Sequence, residues 1–208
     1  MNNYKILNGY AGLGGNAKDW GNKYEVTAVE LDPKIAKVYQ DNNPTHKVVV
    51  GCVIEYLLSH YQDYDIIWLS PPCQANSRMI RSGKNRKPRL PSLTLYELKI
   101  FLDYNFEGKY IIENVKPYYK PVIEPTATIG RHLFWANFDI DENIEVKQPK
   151  NFINLGTVAG SEQLKKWLGI NYEGNLYYEK NHDPCQVLRN CVHPKLGTHI
   201  LNNALSCT

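Results

Sequence analysis

Cys73 and Glu113 are the residues whose types and positions most clearly suggest joint chemistry. Cys73 follows the run Asp65-Ile66-Ile67-Trp68-Leu69 and then Ser70-Pro71-Pro72. The apolar run predicts a short buried strand. The paired prolines must end it, because neither donates to a ladder and each fixes its own φ. The thiol then stands past the carboxyl end of a buried strand, where open α/β sheets bind ligands. Such a cysteine is either a small buried hydrophobe or a nucleophile. The prolines before it, and Gln74, Asn76 and Ser77 after it, favour the nucleophile. Glu113 ends another apolar run, Lys109-Tyr110-Ile111-Ile112, with Asn114-Val115 behind it. Neighbouring parallel strands end on one rim, so Glu113 and Cys73 are expected over one substrate, with the carboxyl as proton donor. The alternative for Glu113 is a strand-end acid bonded to backbone.

A second constellation suggests a nucleotide-type ligand. Lys5-Ile6-Leu7-Asn8 predicts the first strand, Gly9-Tyr10-Ala11-Gly12-Leu13-Gly14-Gly15-Asn16 a glycine-rich turn, and the residues through Trp20 a helix. Glycines let a backbone approach a ligand, and a helix start offers free N–H groups. An ordinary tight turn reads the same way. Glu30 ends the next strand, Glu25–Glu30, where an acid can take both hydroxyls of a ribose. Without a ligand it is a solvated strand-end carboxylate.

These residues need a sheet to position them. Leu31-Asp32-Pro33 opens a helix, with Pro33 at an early helical position and Ile35, Ala36, Val38 and Tyr39 on its apolar face. Lys47–Gly51 predicts a third strand, and Val53–His60 a helix with Ile54, Leu57 and Leu58 inward. Leu93–Phe106 predicts an amphipathic helix, Ile129–Trp135 a strand-like run, and Pro194–Ala204 a closing helix. Alternating strands and helices predict an α/β fold with a mostly parallel central sheet and helices on both faces. From Asp139 to about Cys191 the pattern breaks, with one helical piece near Ser161–Leu168. The expected organisation is residues 1–138 as the main domain, 139–191 as a small irregular lobe, and 192–208 returning to the main domain.

Composition bounds the rest. The 208 residues suit one domain with an appendage, and 43% hydrophobic with 22% charged residues is globular. Five cysteines, an odd number, argue against a disulfide framework and for a reducing, cytoplasmic setting. Their spacing suits no zinc site. No apolar targeting core or membrane-length stretch is present. The net charge of +3 is small, but its distribution is uneven. Arg78, Arg81, Lys84, Arg86, Lys87 and Arg89 crowd one acid-free stretch just after Cys73. As a bare charge run this is a solvated loop; beside a nucleophile it suits phosphate contact.

With these residues in view, the chain resembles the cytosine-C5 DNA methyltransferases. Tyr10-Ala11-Gly12-Leu13-Gly14-Gly15 is similar to their Phe-Ala-Gly-x-Gly-Gly cofactor loop, and Glu30 to their ribose-binding acid. Pro72-Cys73-Gln74 matches their nucleophile motif and Glu113-Asn114-Val115 their Glu-Asn-Val motif. Arg131 falls near their substrate-contacting arginine. Leu201-Asn202-Asn203-Ala204-Leu205 resembles a degraded Gly-Asn-Ala-Val motif. The short length is typical of compact phage-borne or orphan members, some of them tied to restriction.

The resemblance implies a Rossmann-like class I methyltransferase fold with a target-recognition lobe. It implies S-adenosyl-L-methionine, held by Tyr10 to Asn16, Glu30, Leu31, Cys52, Val53, Pro71, Asn203 and Ala204. It implies double-stranded DNA as partner, contacted by Gln74, Ser77 and the basic stretch, and a monomer. Cys73 would add to C6 of a flipped-out cytosine, Glu113 would protonate N3, Asn114 and Pro72 would hold the cysteine loop, and Arg131 would bond the base carbonyl. Four features depart: the family usually carries Asp where Asn8 stands and an acid where Cys52 stands, the arginine motif is incomplete as Gly130-Arg131-His132, and the recognition region from Asp139 is short, about fifty residues. The alternatives are an RNA cytosine methyltransferase of the same fold, and a catalytically silent relative that binds DNA or a partner enzyme.

Alanine at Arg86, Lys87 and Arg89 is expected to weaken DNA binding and flatten its salt dependence, by about one unit of log–log slope per lost contact. Binding isotherms across a salt series measure it. An unchanged slope contradicts phosphate contact.

Overall fold

A computed structural model describes residues 4–78, 90–150, 152, 157–177 and 183–206. Its centre is a sheet with strands β1 (Lys5–Gly9), β2 (Glu25–Glu30), β3 (Lys47–Val50), β4 (Ile66–Leu69), β5 (Lys109–Val115), β6 (Ala127–Ile129) and β7 (His132–Ala136). Their spatial order is β3-β2-β1-β4-β5-β7-β6. The first five strands in chain order run parallel, whereas β7 is antiparallel to both β5 and β6.

The strands read as continuous apolar runs because both faces are covered. Ile6, Ala28, Trp68, Ile111 and Phe134 point to one face, and Leu7, Val29, Ile67, Ile112 and Leu133 to the other. Helices α2 (Val53–His60) and α3 (Thr94–Asn105) cover the second face through Val53, Leu57, Leu98 and Leu102. On the first face lies the closing helix, whose Leu196, Ile200, Leu201 and Ala204 join that core. Helix α1 (Pro33–Asn42) buries Ile35, Ala36, Val38 and Tyr39 as its pattern predicts. Asp32 caps it by accepting from Lys34 and Ile35 N–H, and Pro33 stands where its missing N–H costs nothing.

Several sequence expectations need correction. The residues after the glycine turn form no helix. They make successive tight turns, in which Gly14, Ala17 and Trp20 N–H reach the carbonyls three residues back. Gly12 at φ +54° and Gly14 at φ +79° cannot continue a right-handed helix. On α2, Ile54 and Leu58 face solvent, and Val53 and Leu57 point inward instead. The helix rests on the sheet along its 53–57 stripe, one residue round from the predicted face. The run Ile129–Trp135 is not one strand. Gly130, at φ +60°, and Arg131 make a two-residue hairpin between β6 and β7.

The stretch from Asp139 onward contains α4 (Val158–Leu168) and α5 (Gln186–Arg189), and the closing helix is α6 (Pro194–Ser206). Phe152, Leu164, Leu168, Ile170, Val187 and Leu188 form a third apolar cluster, and this cluster includes Leu13, Ile35 and Val38. The segment expected as a lobe therefore packs on α1 and the glycine turn. No helix among the described residues is long and apolar enough to cross a membrane.

Candidate active site

Parallel pairing brings the candidate residues to one edge of the sheet. Leu69 pairs with both Gly9 and Ile112. The chains leaving β1, β4 and β5 therefore emerge side by side. Ser70 N–H still reaches Gly9 O at 3.2 Å. The prolines that follow cannot donate, and a neighbouring side chain takes over. Asn114 Nδ2 donates to Pro71 O at 3.0 Å, and Asn114 Oδ1 accepts Val115 N–H at 2.9 Å. Pro71 and Asn114 are buried and Pro72 is exposed. Cys73 then closes a turn, its carbonyl accepting from Asn76 at 3.0 Å and Ser77 at 2.8 Å.

Cys73 is half-buried. Burial pushes its thiol up to about 11, the Glu113 charge adds to the rise, and Arg131 opposes it. Glu113 is buried on β5, with Oε1 2.6 Å from His132 Nδ1. Burial also pulls Arg131 below its ordinary value, against the nearby charges of Glu113 and Cys73. Arg131 donates from Nη2 to the carbonyls of Arg189 and, at 3.2 Å, Cys191. Its guanidinium lies 5.0 Å from the Phe152 ring centre. Its Nε is buried with no hydrogen-bond partner among the described residues.

The glycine turn lies at the same edge. Tyr10 holds φ +55°, an uncommon conformation for a bulky residue and a mark of local strain. Burial, then the charges of Cys52 and Glu97, push its hydroxyl up to about 12. The loop's N–H groups turn inward. Ala11 donates to Val29 O at 3.1 Å and Gly12 to Glu30 Oε2 at 2.8 Å. Gly14 donates to Ala11 O at 3.0 Å, and the Gly15 backbone lies against the buried Cys191. Glu30 Oε1 accepts from Asp32 N–H at 3.0 Å, so each carboxylate oxygen already holds one bond and retains acceptor capacity. Leu31 is 70% exposed, an apolar side chain without cover beside this acid. Cys52 is exposed at the start of α2 and Val53 is buried against the sheet.

Other predicted residues fall elsewhere. Gln74 and Arg78 are exposed, and Arg78 Nε donates to Pro117 O at 3.2 Å. Ser77 bridges to Pro117. Arg81, Lys84, Arg86, Lys87 and Arg89 lie outside the described residues. Asn203 Oδ1 accepts Asp141 N–H at 2.7 Å, and Ala204 sits in the core. An earlier run meets the loop backbone. A Cβ on Gly15 would lie 2.5 Å from Val192 O, and one on Gly197 would lie 2.1 Å from Asn16 O. Asn76 also has a part its sequence does not announce. Its amide donates to Ser92 O at 3.0 Å and accepts Ser92 N–H at 2.9 Å, while its carbonyl accepts Tyr118 N–H at 2.9 Å. It ties the Cys73 turn to the segments before α3 and after β5.

A family model described as C-5 cytosine-specific DNA methylase matches residues 4–121. The chain belongs to this family. No curated protein matches it. Among solved structures it is similar to a DNMT2 mutant from Spodoptera frugiperda, at 28% identity over 54% of this chain and 36% of that one, TM-score 0.37. A SAM-dependent methyltransferase from Agrobacterium tumefaciens matches at 15% identity over 56% and 40%, TM-score 0.41. A putative DNA modification methyltransferase encoded within an Escherichia coli prophage matches at 18% over 56% and 33%, TM-score 0.38. In each case the match spans less than half of the other chain.

Family membership with this sheet order makes the fold the Rossmann-like methyltransferase α/β fold. The segment Cys191-Val192 lies against Gly15. The departure at Asn8 has a local cause. Asn8 and Asn16 exchange amide bonds, Asn16 Nδ2 to Asn8 Oδ1 at 2.9 Å and Asn8 Nδ2 to Asn16 Oδ1 at 3.3 Å. Asn8 Nδ2 also lies 3.4 Å from Tyr39 Oη, which is 3.0 Å from His46 Nδ1. His46 Nε2 lies 3.1 Å from Gly21 O, and burial lowers its basicity. A neutral His46 donates to that carbonyl, so Tyr39 donates to His46 and accepts from Asn8. The chain of bonds needs a donor at residue 8.

An Asn8→Asp variant is therefore expected to lose about 1–3 kcal/mol of stability, because Asn16 Oδ1 and Tyr39 Oη lose their donor. Urea denaturation at pH 7 measures it. Unchanged stability would show that the loop does not depend on the amide pair.

Proposed function

We propose that the chain is an S-adenosylmethionine-dependent methyltransferase that acts on C5 of cytosine in duplex DNA. The observation that carries this reading is the grouping of Cys73, Glu113 and Arg131 at the sheet edge, beside a strained glycine loop, in a chain of this family.

The residues fit the cofactor. The loop N–H groups of Ala11, Gly12 and Gly14 are spent on protein acceptors, so the loop is a poor cradle for phosphate. A ligand with a ribose and a sulfonium, and no phosphate, suits it better. Glu30 would take the ribose hydroxyls, Leu31 and Val53 would flank the adenine, and Tyr10, Cys52 and Pro71 would line the rim. S-adenosylmethionine bound there supplies an electrophilic methyl group.

C5 of cytosine is a poor nucleophile. Thiolate addition at C6 makes it enamine-like, and Cys73 is the thiol at hand. A thiol near 11 is protonated at neutral pH, so the proton must leave as the C–S bond forms. Arg131 favours the thiolate. Its unpartnered Nε–H is a donor for the ring carbonyl. Glu113 gives a proton to N3 as the adduct forms. Asn114 holds Pro71, and through it the cysteine turn, against recoil. Methyl transfer to C5, loss of the C5 proton to water, departure of the thiolate and return of the N3 proton to Glu113 would restore the ring, and the thiol proton released at the addition likewise passes to water. The ring cannot be reached within a duplex, so the base must swing out, past the exposed Gln74 and Arg78.

The purified protein with S-adenosylmethionine and unmethylated duplex DNA is expected to yield 5-methyldeoxycytidine on nucleoside mass spectrometry. Cys73→Ala should abolish it. A product found only in transfer RNA would replace DNA with RNA as substrate, and no product in either would overturn the reading.

A further inference from the structure

Glu113 has a partner that the chemistry above leaves unused. On the antiparallel pair β5–β7, Glu113 stands opposite Phe134 and Val115 opposite His132. Residues two apart on a strand share a face, so Glu113 and His132 are diagonal neighbours on one face. Their contact is 2.6 Å, with side chains 6% and 8% exposed. The other ionisable groups acting on the pair are Cys73 from the turn after β4, Arg131 from the hairpin and Cys191 from the segment before α6. The Phe134 ring lies 6.2 Å from the imidazole and walls it in.

We propose that His132 is a positioning residue for Glu113, its Nδ1–H holding Oε1 so that Oε2 is presented to N3 of the base. The inference rests on the methyltransferase reading. Burial lowers the basicity of His132 and Arg131 adds to this, against the charge and hydrogen bond of Glu113. A neutral imidazole with its proton on Nδ1 is a donor to Glu113 whether the acid holds its own proton or has given it away. A buried carboxyl without such a partner would turn about its side-chain torsions and meet N3 in a fraction of encounters. The second oxygen stays free for the base because the first is held. No bond to carbon forms or breaks at His132, and its proton stays in place through the step.

The test compares His132→Phe with His132→Asn. Phenylalanine keeps a ring of similar shape and loses the donor. Asparagine loses the ring and can place an amide N–H near the Nδ1 position. Positioning by hydrogen bond predicts that His132→Phe lowers kcat for methylation of duplex DNA by about tenfold or more with KM little changed, and that His132→Asn recovers most of it. A packing role predicts the reverse order, and that order would overturn the proposal. ¹⁵N NMR of histidine-labelled wild-type protein at pH 8 gives an arm independent of activity and of either variant folding. The His132 signals should show the proton on Nδ1 and not on Nε2, and the opposite tautomer would overturn the proposal. A wild-type protein with the Nδ1 proton and no methylation of DNA or RNA would instead overturn the methyltransferase reading on which the proposal rests.

Discussion

The site depends on the parallel pairing of β4 with β5 and on the Asn114–Pro71 bond that extends it. The ladder fixes Leu69 against Ile112. Beyond Leu69 the prolines end the ladder, and the chain would be free to leave the sheet in any direction. Asn114 prevents this by reaching across to Pro71 O from a residue next to Glu113. Asn114 thus ties the start of the Cys73 turn to the strand that carries Glu113, and Asn76 ties its end to the segments before α3 and after β5. A typical buried hydrogen bond adds only about 1 kcal/mol, but its loss would leave a buried amide and carbonyl unpaired, at about 1–3 kcal/mol. The cost of misplacement is what fixes the geometry.

The electrostatics of the site follow from burial. One thiol, one carboxyl and one guanidinium share a poorly hydrated space. Cys73 is held protonated by burial and by Glu113, and Arg131 partly offsets both. Arg131 can stay charged there because the carbonyls of Arg189 and Cys191 accept from it. Those carbonyls lie between α5 and α6, so the C-terminal third of the chain anchors the cation of the site. The same segment lies against the glycine turn, where a Cβ on Gly15 would meet Val192 O at 2.5 Å and Cys191 Cβ at 2.7 Å. The edge that carries Cys73 and Glu113 and the glycine turn therefore both rest on one stretch of backbone.

Much of this was legible in the sequence, and the exceptions share a cause. Strands β1, β2, β4 and β5 could be read because buried parallel strands are apolar runs bounded by glycine or proline. Cys73, Glu113 and Asn114 could be read because they stand at the ends of those runs. The turns through Trp20 could not, since two glycines at positive φ look the same in sequence as glycines at a helix start. The hairpin at Gly130-Arg131 was hidden inside a run with no polar break long enough to mark a turn. The contacts of Gly15 with Cys191 and of Asn76 with Ser92 join distant segments, and only the folded chain reveals them.

The account stands on Cys73 and Glu113 meeting one extruded base. The most direct measurement is a crystal structure of the protein trapped on duplex DNA that carries 5-fluorocytosine in place of cytosine, with S-adenosylmethionine present. The account predicts a bond from Cys73 Sγ to C6 of a base lying outside the helix, with a Glu113 oxygen at hydrogen-bond distance from N3. A base still stacked in the duplex, or an adduct on another residue, would contradict it.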